Sequence, residues 1–375
     1  MASGRWPLNV ARAGVRVLQA HAGRLPHPLK LNLCLTYWCQ YRCETCNIWK
    51  RKPSDELTTD ELLAFIAANA RTEWLDVTGG EIFLRPDIED ILDAILRTWT
   101  RLVVLHFPTN GFLTDRIVRT SSRLRRQHRV PIVVTVSVDG DEALNDRIRG
   151  IKGGYRRQID TFNRLRAEGV TAVLGMTLSR FNADRVADVF QAVERDCPGL
   201  TARQFHVNLA QTSAHYYGTP TGADYVASRE QIDGALKAYT RLRGFPRLPG
   251  DFVEARYLHL MRTFLSTGTS PQPCHALRST CFIDPWGIVY PCITFDRPVG
   301  RLRDHEMRLE PIWTSPAAEA LQREIWQGEC PQCWTACEAF PTIIGNALTP
   351  WRVGRPGRPR PTESGTMETA GPTVS

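Results

Sequence analysis

The chain has 375 residues, of which 42% are apolar and 23% charged, with a net charge of +8. A chain of this length buries a sizeable core without needing disulfides, and it holds no run of about eighteen apolar residues, which excludes a membrane-spanning helix. The N-terminus also lacks the apolar block and small-residue cleavage site of a secretion signal, so a cytoplasmic location is expected.

Residues 1–43 carry Arg5, Arg12, Arg16, Arg24, Lys30 and Arg42 and no Asp or Glu. We read 1–28 as a basic extension, a helix with a solvated face packed across one end of a domain. Contact with a membrane surface is the secondary expectation. No basic patch interleaved with aromatics points to nucleic acid.

From Leu29 the chain alternates between strand and helix periods. Leu29, Leu31, Leu33 and Leu35 alternate with polar residues as a strand does. Thr58 and Glu61 form a capping-box pattern ahead of a helix expected to turn Leu62, Leu63, Phe65 and Ile66 to the core. Further strands are expected at Trp74–Thr78, Leu102–Phe107, Pro131–Ser137, Thr171–Leu178 and Gln204–Leu209. Helices are expected at Ile88–Trp99, Thr114–Arg126, Gly154–Ala167 and Asp184–Asp196. Six strands separated by helices imply parallel pairing with right-handed crossovers. The fold class is therefore α/β: a partial (β/α)6 TIM-like barrel over 29–225, with ligands at the carboxyl ends of its strands. A helical linker follows over 226–272, then a small cysteine-rich domain over 273–346. That domain opens with a hairpin turning at Pro285-Trp286-Gly287. A Pro/Gly/Ser/Thr-rich tail over 347–375 reads as disordered.

Ten of the eleven cysteines fall in two stretches, four over 34–46 and six over 274–337. An odd total without a secretion signal argues for metal or redox chemistry over disulfides. Cys39, Cys43 and Cys46 follow the first strand in Cys-x3-Cys-x2-Cys spacing. On a loop this lets three thiolates converge, as in a cubane with one iron left open. Zinc with a fourth ligand from elsewhere is the alternative. Cys274, Cys281, Cys292, Cys330, Cys333 and Cys337 form the second group. Cys34 and Cys197 read as small core residues.

The Cys-x3-Cys-x2-Cys run resembles the signature of the radical SAM superfamily. Further resemblances fall at successive strand ends: Gly79-Gly80-Glu81, Thr109-Asn110-Gly111, Ser137-Val138-Asp139-Gly140 and Asp146-Arg147-Ile148-Arg149-Gly150. The resemblance implies a [4Fe–4S] cluster on Cys39, Cys43 and Cys46. It implies S-adenosylmethionine bound by Gly79, Gly80, Glu81, Asn110, Ser137, Asp139 and Arg149. Chemically, Glu81 would meet an ammonium and Arg149 a carboxylate. The family usually has an aromatic residue before the third cysteine; here it is Thr45, with Trp49 and Tyr41 as the aromatic alternatives.

The second cysteine group resembles the SPASM/Twitch extension and implies an auxiliary [4Fe–4S] cluster. Six cysteines fit one cluster better than two. Cys274, Cys292, Cys330 and Cys333 are the expected ligands, with Cys337 and Cys281 as alternates. A zinc-ribbon-like site is the bland alternative.

The implied activity is that of a radical SAM oxidoreductase. S-adenosylmethionine is cleaved to a 5′-deoxyadenosyl radical, which takes a hydrogen from a sugar, aminocyclitol or peptide, and the auxiliary cluster accepts an electron. Redox-neutral epimerisation, adenosylation, and peptide maturation with a partner protein are the alternatives. A flavodoxin or ferredoxin is the implied electron donor. His206, Asn208, Gln211, His215, Tyr216 and Tyr217, past the sixth strand, are candidate substrate contacts.

Overall fold

The computed structural model describes residues 5–348, residue 221 excepted. Most of the tail expected to be disordered lies outside the described residues. Nine strands form one sheet: β1 Lys30–Cys34, β2 Trp74–Thr78, β3 Val104–Thr109, β4 Ile132–Ser137, β5 Thr171–Leu178, β6 Phe205–Leu209, β7 Thr280–Ile283, β8 Ile288–Tyr290 and β9 Gly300–Arg301. Their spatial order is β6-β5-β4-β3-β2-β1-β7-β8-β9. β1 to β6 pair in parallel in chain order, which is the expected partial barrel. β3 sits two residues later than its apolar run suggested.

β7 pairs in parallel with β1, from Lys30↔Thr280 to Leu33↔Ile283. β8 and β9 then add antiparallel. The hairpin at Pro285–Gly287 is present, and the cysteine-rich segment extends the barrel sheet instead of standing apart from it.

Buried parallel strands normally read as continuous apolar runs. Here β1 to β6 alternate, because their two faces meet different surroundings. Leu31, Leu33, Leu75, Val77, Leu105, Phe107, Val134, Val136, Leu174 and Met176 are buried in the main core. The helices Thr59–Ala68, Ile88–Thr98, Thr114–Gln127, Gly154–Ala167 and Val186–Asp196 put their apolar stripes into the same core. Leu63 is an exception: it is exposed, not turned to the core as expected. The capping box of Thr58 with Glu61 forms as expected.

The other sheet face is a polar lumen. Lys30 Nζ lies 2.9 Å from Asp76 Oδ2, and Trp74 Nε1 donates to Asp76 Oδ1 at 2.8 Å. His106 Nδ1 lies 3.2 Å from Asp76 Oδ1, and His106 Nε2 lies 2.8 Å from Thr135 Oγ1. This chain crosses β1, β2, β3 and β4. Burial works against the Asp76 charge, but Lys30 and His106 outweigh it and hold the carboxyl below its ordinary range.

The helix Arg5–Ala22 crosses the N-terminal ends of the strands. Trp6 Nε1 donates to Val103 O at 3.1 Å, Asn9 Nδ2 donates to Thr100 O at 2.8 Å, and Arg16 lies 3.5 Å from Glu73. Packing across one end of the barrel is as expected, but the solvated polar face is not. The helix buries Asn9, Arg16 and Ala20 and exposes Leu8, Val15 and Leu18.

Candidate active site

Cys39, Cys43 and Cys46 lie on the loop that leaves β1, at the carboxyl end of the sheet, and three other loops hold it in place. From β2, Gly80 N donates to Thr36 O at 2.8 Å and Glu81 N to Trp38 O at 2.7 Å. From the segment after β4, Ile148 O accepts from Glu44 N at 2.8 Å and Arg149 O from Arg42 N at 3.2 Å. From the segment after β6, Tyr217 O accepts from Asn47 N at 2.9 Å. These contacts make glycine obligatory at position 80. A Cβ there would stand 2.3 Å from Trp38 O and 2.9 Å from Cys39 Cβ. Gly79 is as tight, 2.5 Å from Thr36 O.

Burial above all pushes Cys39 and Cys46 up to about 12, with Glu81 and then Cys43 adding at Cys39 and with Cys43 and Cys39 adding at Cys46, and burial pushes Cys43 up as well. Empty, the trio is neutral, so loading with metal must release protons. Asn110 Nδ2 lies 3.8 Å from Cys39 Sγ, while Cys43 Sγ lies 3.8 Å from Arg149 O.

The residues expected to hold S-adenosylmethionine ring this loop. Glu81 is fully buried and already accepts from Asn110 N at 2.7 Å, Thr109 Oγ1 at 2.9 Å and Phe83 N at 3.2 Å. Burial lifts its carboxyl to about 6 in spite of these donors. It therefore locks the β2 and β3 ends together, besides whatever it offers a ligand. Ser137 ends β4. Arg149 Nη1 donates to Asp139 Oδ2 at 2.6 Å, and Asp139 Oδ1 accepts from Thr177 N at 2.8 Å. Both partners of this pair are buried. Asp139→Ala, which strands the arginine, is expected to lower unfolding free energy by about 3–5 kcal/mol in urea titration.

Three buried donors flanking the loop lack a partner among the described residues: Arg149 Nε, Tyr41 Oη and Trp49 Nε1. Such orphans call for a polar ligand, and three thiols beside them suit a cluster with a chelating co-substrate. Tyr41 is buried edge-on to Phe112, with the Arg149 guanidinium over its ring. Trp49 carries Arg42 and Lys50 over its ring.

A second cavity is lined by Cys274, Cys292, Cys330 and Cys333, with Thr294, Gln332 and Glu338. The four expected ligands thus share one space. Ala276 N donates to Cys274 Sγ at 3.5 Å, Gln332 Nε2 to Cys330 Sγ at 3.4 Å, and the Thr294 hydroxyl lies 3.2 Å from Cys292 Sγ. Neither alternate lines this cavity. Cys281 is in register with Leu31 on β7 and is packed in the apolar core. Cys337 packs with the aromatic group of Tyr37, Tyr216 and Tyr290, and its carbonyl accepts from Lys30 Nζ at 2.6 Å. Among the described residues no three His, Cys, Asp or Glu side chains close on one point as a single ion requires.

The candidate substrate contacts divide. His206 and Asn208 lie on the polar face of β6, with His206 Nδ1 3.6 Å from Glu254 Oε2 and Asn208 Oδ1 accepting from Tyr257 Oη at 3.2 Å, while Asn208 Nδ2 stays on that face; Tyr217 lies within electrostatic reach of both Cys46 and Cys337. His215 and Tyr216 are already engaged. The His215 ring stacks on Tyr290 with centroids 4.3 Å apart, and its Nε2 lies 3.0 Å from Cys292 O. Tyr216 Oη lies 2.8 Å from Thr78 Oγ1. Gln211 accepts from Tyr225 Oη through its main-chain carbonyl. Sequence reading missed Lys30, Asp76, His106 and Thr135. Their signal was the recurrence of polar residues at every second position of strands that run in parallel.

Comparison with known proteins agrees with this geometry. The profile of the Radical SAM superfamily matches residues 33–193, and that of the SPASM iron–sulfur cluster-binding domain matches 274–334. The chain belongs to the radical SAM superfamily. Its cofactors are accordingly a [4Fe–4S] cluster with S-adenosylmethionine in the barrel, and auxiliary iron–sulfur binding in the SPASM segment.

The chain is 23% identical over 330 residues to the antilisterial bacteriocin subtilosin biosynthesis protein AlbA of Bacillus subtilis, covering 84% of this chain and 65% of AlbA. It therefore spans just under two thirds of AlbA's length. It is 25% identical to the PqqA peptide cyclase of Gluconobacter oxydans, covering 85% of this chain and 88% of the cyclase. Among solved structures, native anSMEcpe with bound AdoMet and Kp18Cys peptide superposes with a TM-score of 0.60 at 15% identity, covering 80% of this chain and 84% of that one.

Proposed function

We propose that this radical SAM enzyme is an oxidoreductase acting on a peptide, with Cys39, Cys43 and Cys46 holding the catalytic cluster and Cys274, Cys292, Cys330 and Cys333 the auxiliary one. The observation that carries the reading is the presence of two separate thiol sets, the trio on the loop at the carboxyl ends of the barrel strands and four cysteines lining one cavity. The segment after Cys333 meets β6, where Ala336 N donates to Asn208 Oδ1 at 3.4 Å. When bound, the clusters supply the electron that cleaves the sulfonium of S-adenosylmethionine to a 5′-deoxyadenosyl radical and an acceptor for the electron left after a substrate hydrogen is removed.

The chain's own residues bind, orient and exclude water. Asp139 fixes the Arg149 guanidinium for the methionyl carboxylate. Glu81 sets the β2 and β3 ends around the amino group, with Gly79, Gly80, Asn110 and Ser137 completing the pocket. His206, Asn208 and Tyr217 present polar groups to the substrate, and the Lys30–Asp76–His106–Thr135 chain keeps the lumen floor ordered. A flavodoxin or ferredoxin fits as electron donor, and a cytoplasmic setting fits the free thiols.

Of the substrate classes expected, peptides are favoured over sugars or aminocyclitols because the relatives named above are a bacteriocin biosynthesis protein and a peptide cyclase. The test is isotope transfer. The anaerobically reconstituted enzyme is reduced with S-adenosylmethionine and a synthetic peptide pool deuterated at carbon. Deuterium should appear in 5′-deoxyadenosine. Transfer from a deuterated aminocyclitol but not from the peptides would overturn the peptide assignment.

A further inference from the structure

The helix Arg5–Ala22 is amphipathic the wrong way round for a helix that only packs on a barrel. Its polar Asn9 and Arg16 are buried beneath it. Outward it shows Trp6, Leu8, Val10, Val15 and Leu18, each 42–65% exposed. Leu8, Val15 and Leu18 are spaced at seven and three residues, so they share one stripe. The exposed Arg12 borders it, and no acidic residue occurs before Glu44. The loops leading into β2, β3 and β4 add Arg71, Arg101 and Arg129 at the same end of the barrel. Two acidic side chains near this end are already paired, Asp93 with Arg97 and His128, and Glu168 with Arg126.

We propose that this end of the barrel docks on an anionic lipid surface, with the outward stripe of Arg5–Ala22 entering the headgroup boundary and the surrounding arginines meeting the headgroups. An apolar stripe beside a basic rim is the pattern of helices that lie in the membrane interface, and anionic lipid attracts each nearby Lys or Arg. A second copy of the chain is a poor occupant, because it would bring one net-basic face against another. The stripe is a ridge on the outside of the molecule, which suits a deformable surface better than a preformed protein groove. The active-site loops lie at the opposite ends of the strands, so docking leaves the lumen mouth turned to the aqueous side.

The test is vesicle flotation with the full chain, in phosphatidylcholine vesicles with and without about 30% phosphatidylglycerol. Wild-type protein should float with the anionic vesicles, and floating should weaken as salt rises from about 0.1 M to about 0.5 M. The triple variant Leu8→Gln/Val15→Gln/Leu18→Gln should bind at least about ten-fold more weakly, with its melting temperature unchanged because all three side chains are exposed. If the triple variant folds poorly, Arg12→Glu serves alone, with a smaller loss. Neither cluster is needed, so the protein as purified suffices. Failure to float with anionic vesicles, or a triple variant that floats like wild type, would overturn the proposal. So would self-association that the triple variant abolishes, or tighter binding to polyglutamate than to the vesicles, since each names another occupant.

Discussion

Replacing Cys39, Cys43 or Cys46 with alanine is expected to abolish 5′-deoxyadenosine release and to cut iron from about eight to about four per chain. Cys333→Ala should remove the other four irons and leave reductive cleavage of S-adenosylmethionine intact. The split follows from the two separate thiol sets. The trio lies on one loop, and the second cavity is lined by its own four. Cys337→Ala and Cys281→Ala should keep all the iron, since both side chains face elsewhere. Iron and sulfide assays with anaerobic product analysis decide the matter. A Cys337 variant that lost four irons would reassign the auxiliary ligand set, and a wild-type chain that loaded zinc there would remove the auxiliary cluster.

Gly80→Ala should have nearly as large an effect from one methyl group. The new Cβ meets Trp38 O at 2.3 Å, and that atom is main chain on the cluster loop. Nothing flexible is available to give way. The loop must shift, breaking the bonds Gly80 N–Thr36 O and Glu81 N–Trp38 O. Overpacking of this kind costs about 1–3 kcal/mol, and each lost main-chain bond about 1 kcal/mol more. A displacement of about 1 Å beside the reacting atoms lowers rate by about 100-fold. We expect a lower melting temperature and a fall of that order in 5′-deoxyadenosine release. Gly14→Ala is the control. Its Cβ meets nothing within 4 Å, and in a helix interior alanine should be neutral or slightly stabilising.

The barrel was readable because each strand and crossover helix carries its own period, and β2, β5 and the helix Gly154–Ala167 fall where those periods place them. The thiol trio was readable because its spacing is local. Contacts between distant segments left no local trace. Nothing near Cys281 or Cys337 says that one faces the core and the other the aromatic group. Nothing near His215 says that its ring is spent on Tyr290. The apolar stripe of Arg5–Ala22 misled for the same reason. An amphipathic pattern reports that a helix has two faces, and only the tertiary contacts of Asn9 and Arg16 reveal which of them turns inward.

The ladder from Lys30↔Thr280 to Leu33↔Ile283 bears on how the two proposed redox centres would communicate. Under the proposed ligand sets one centre hangs from the far end of β1 and the other from residues on both sides of β7, so main-chain bonds between adjacent strands help to set their separation. The helices Arg229–Arg243 and Pro249–Thr267 hold the same arrangement from another side, with Trp334 Nε1 donating to Tyr257 O at 3.0 Å. Unzipping β1 from β7 would therefore lengthen the gap an electron must cross under the proposed function and disconnect the circuit.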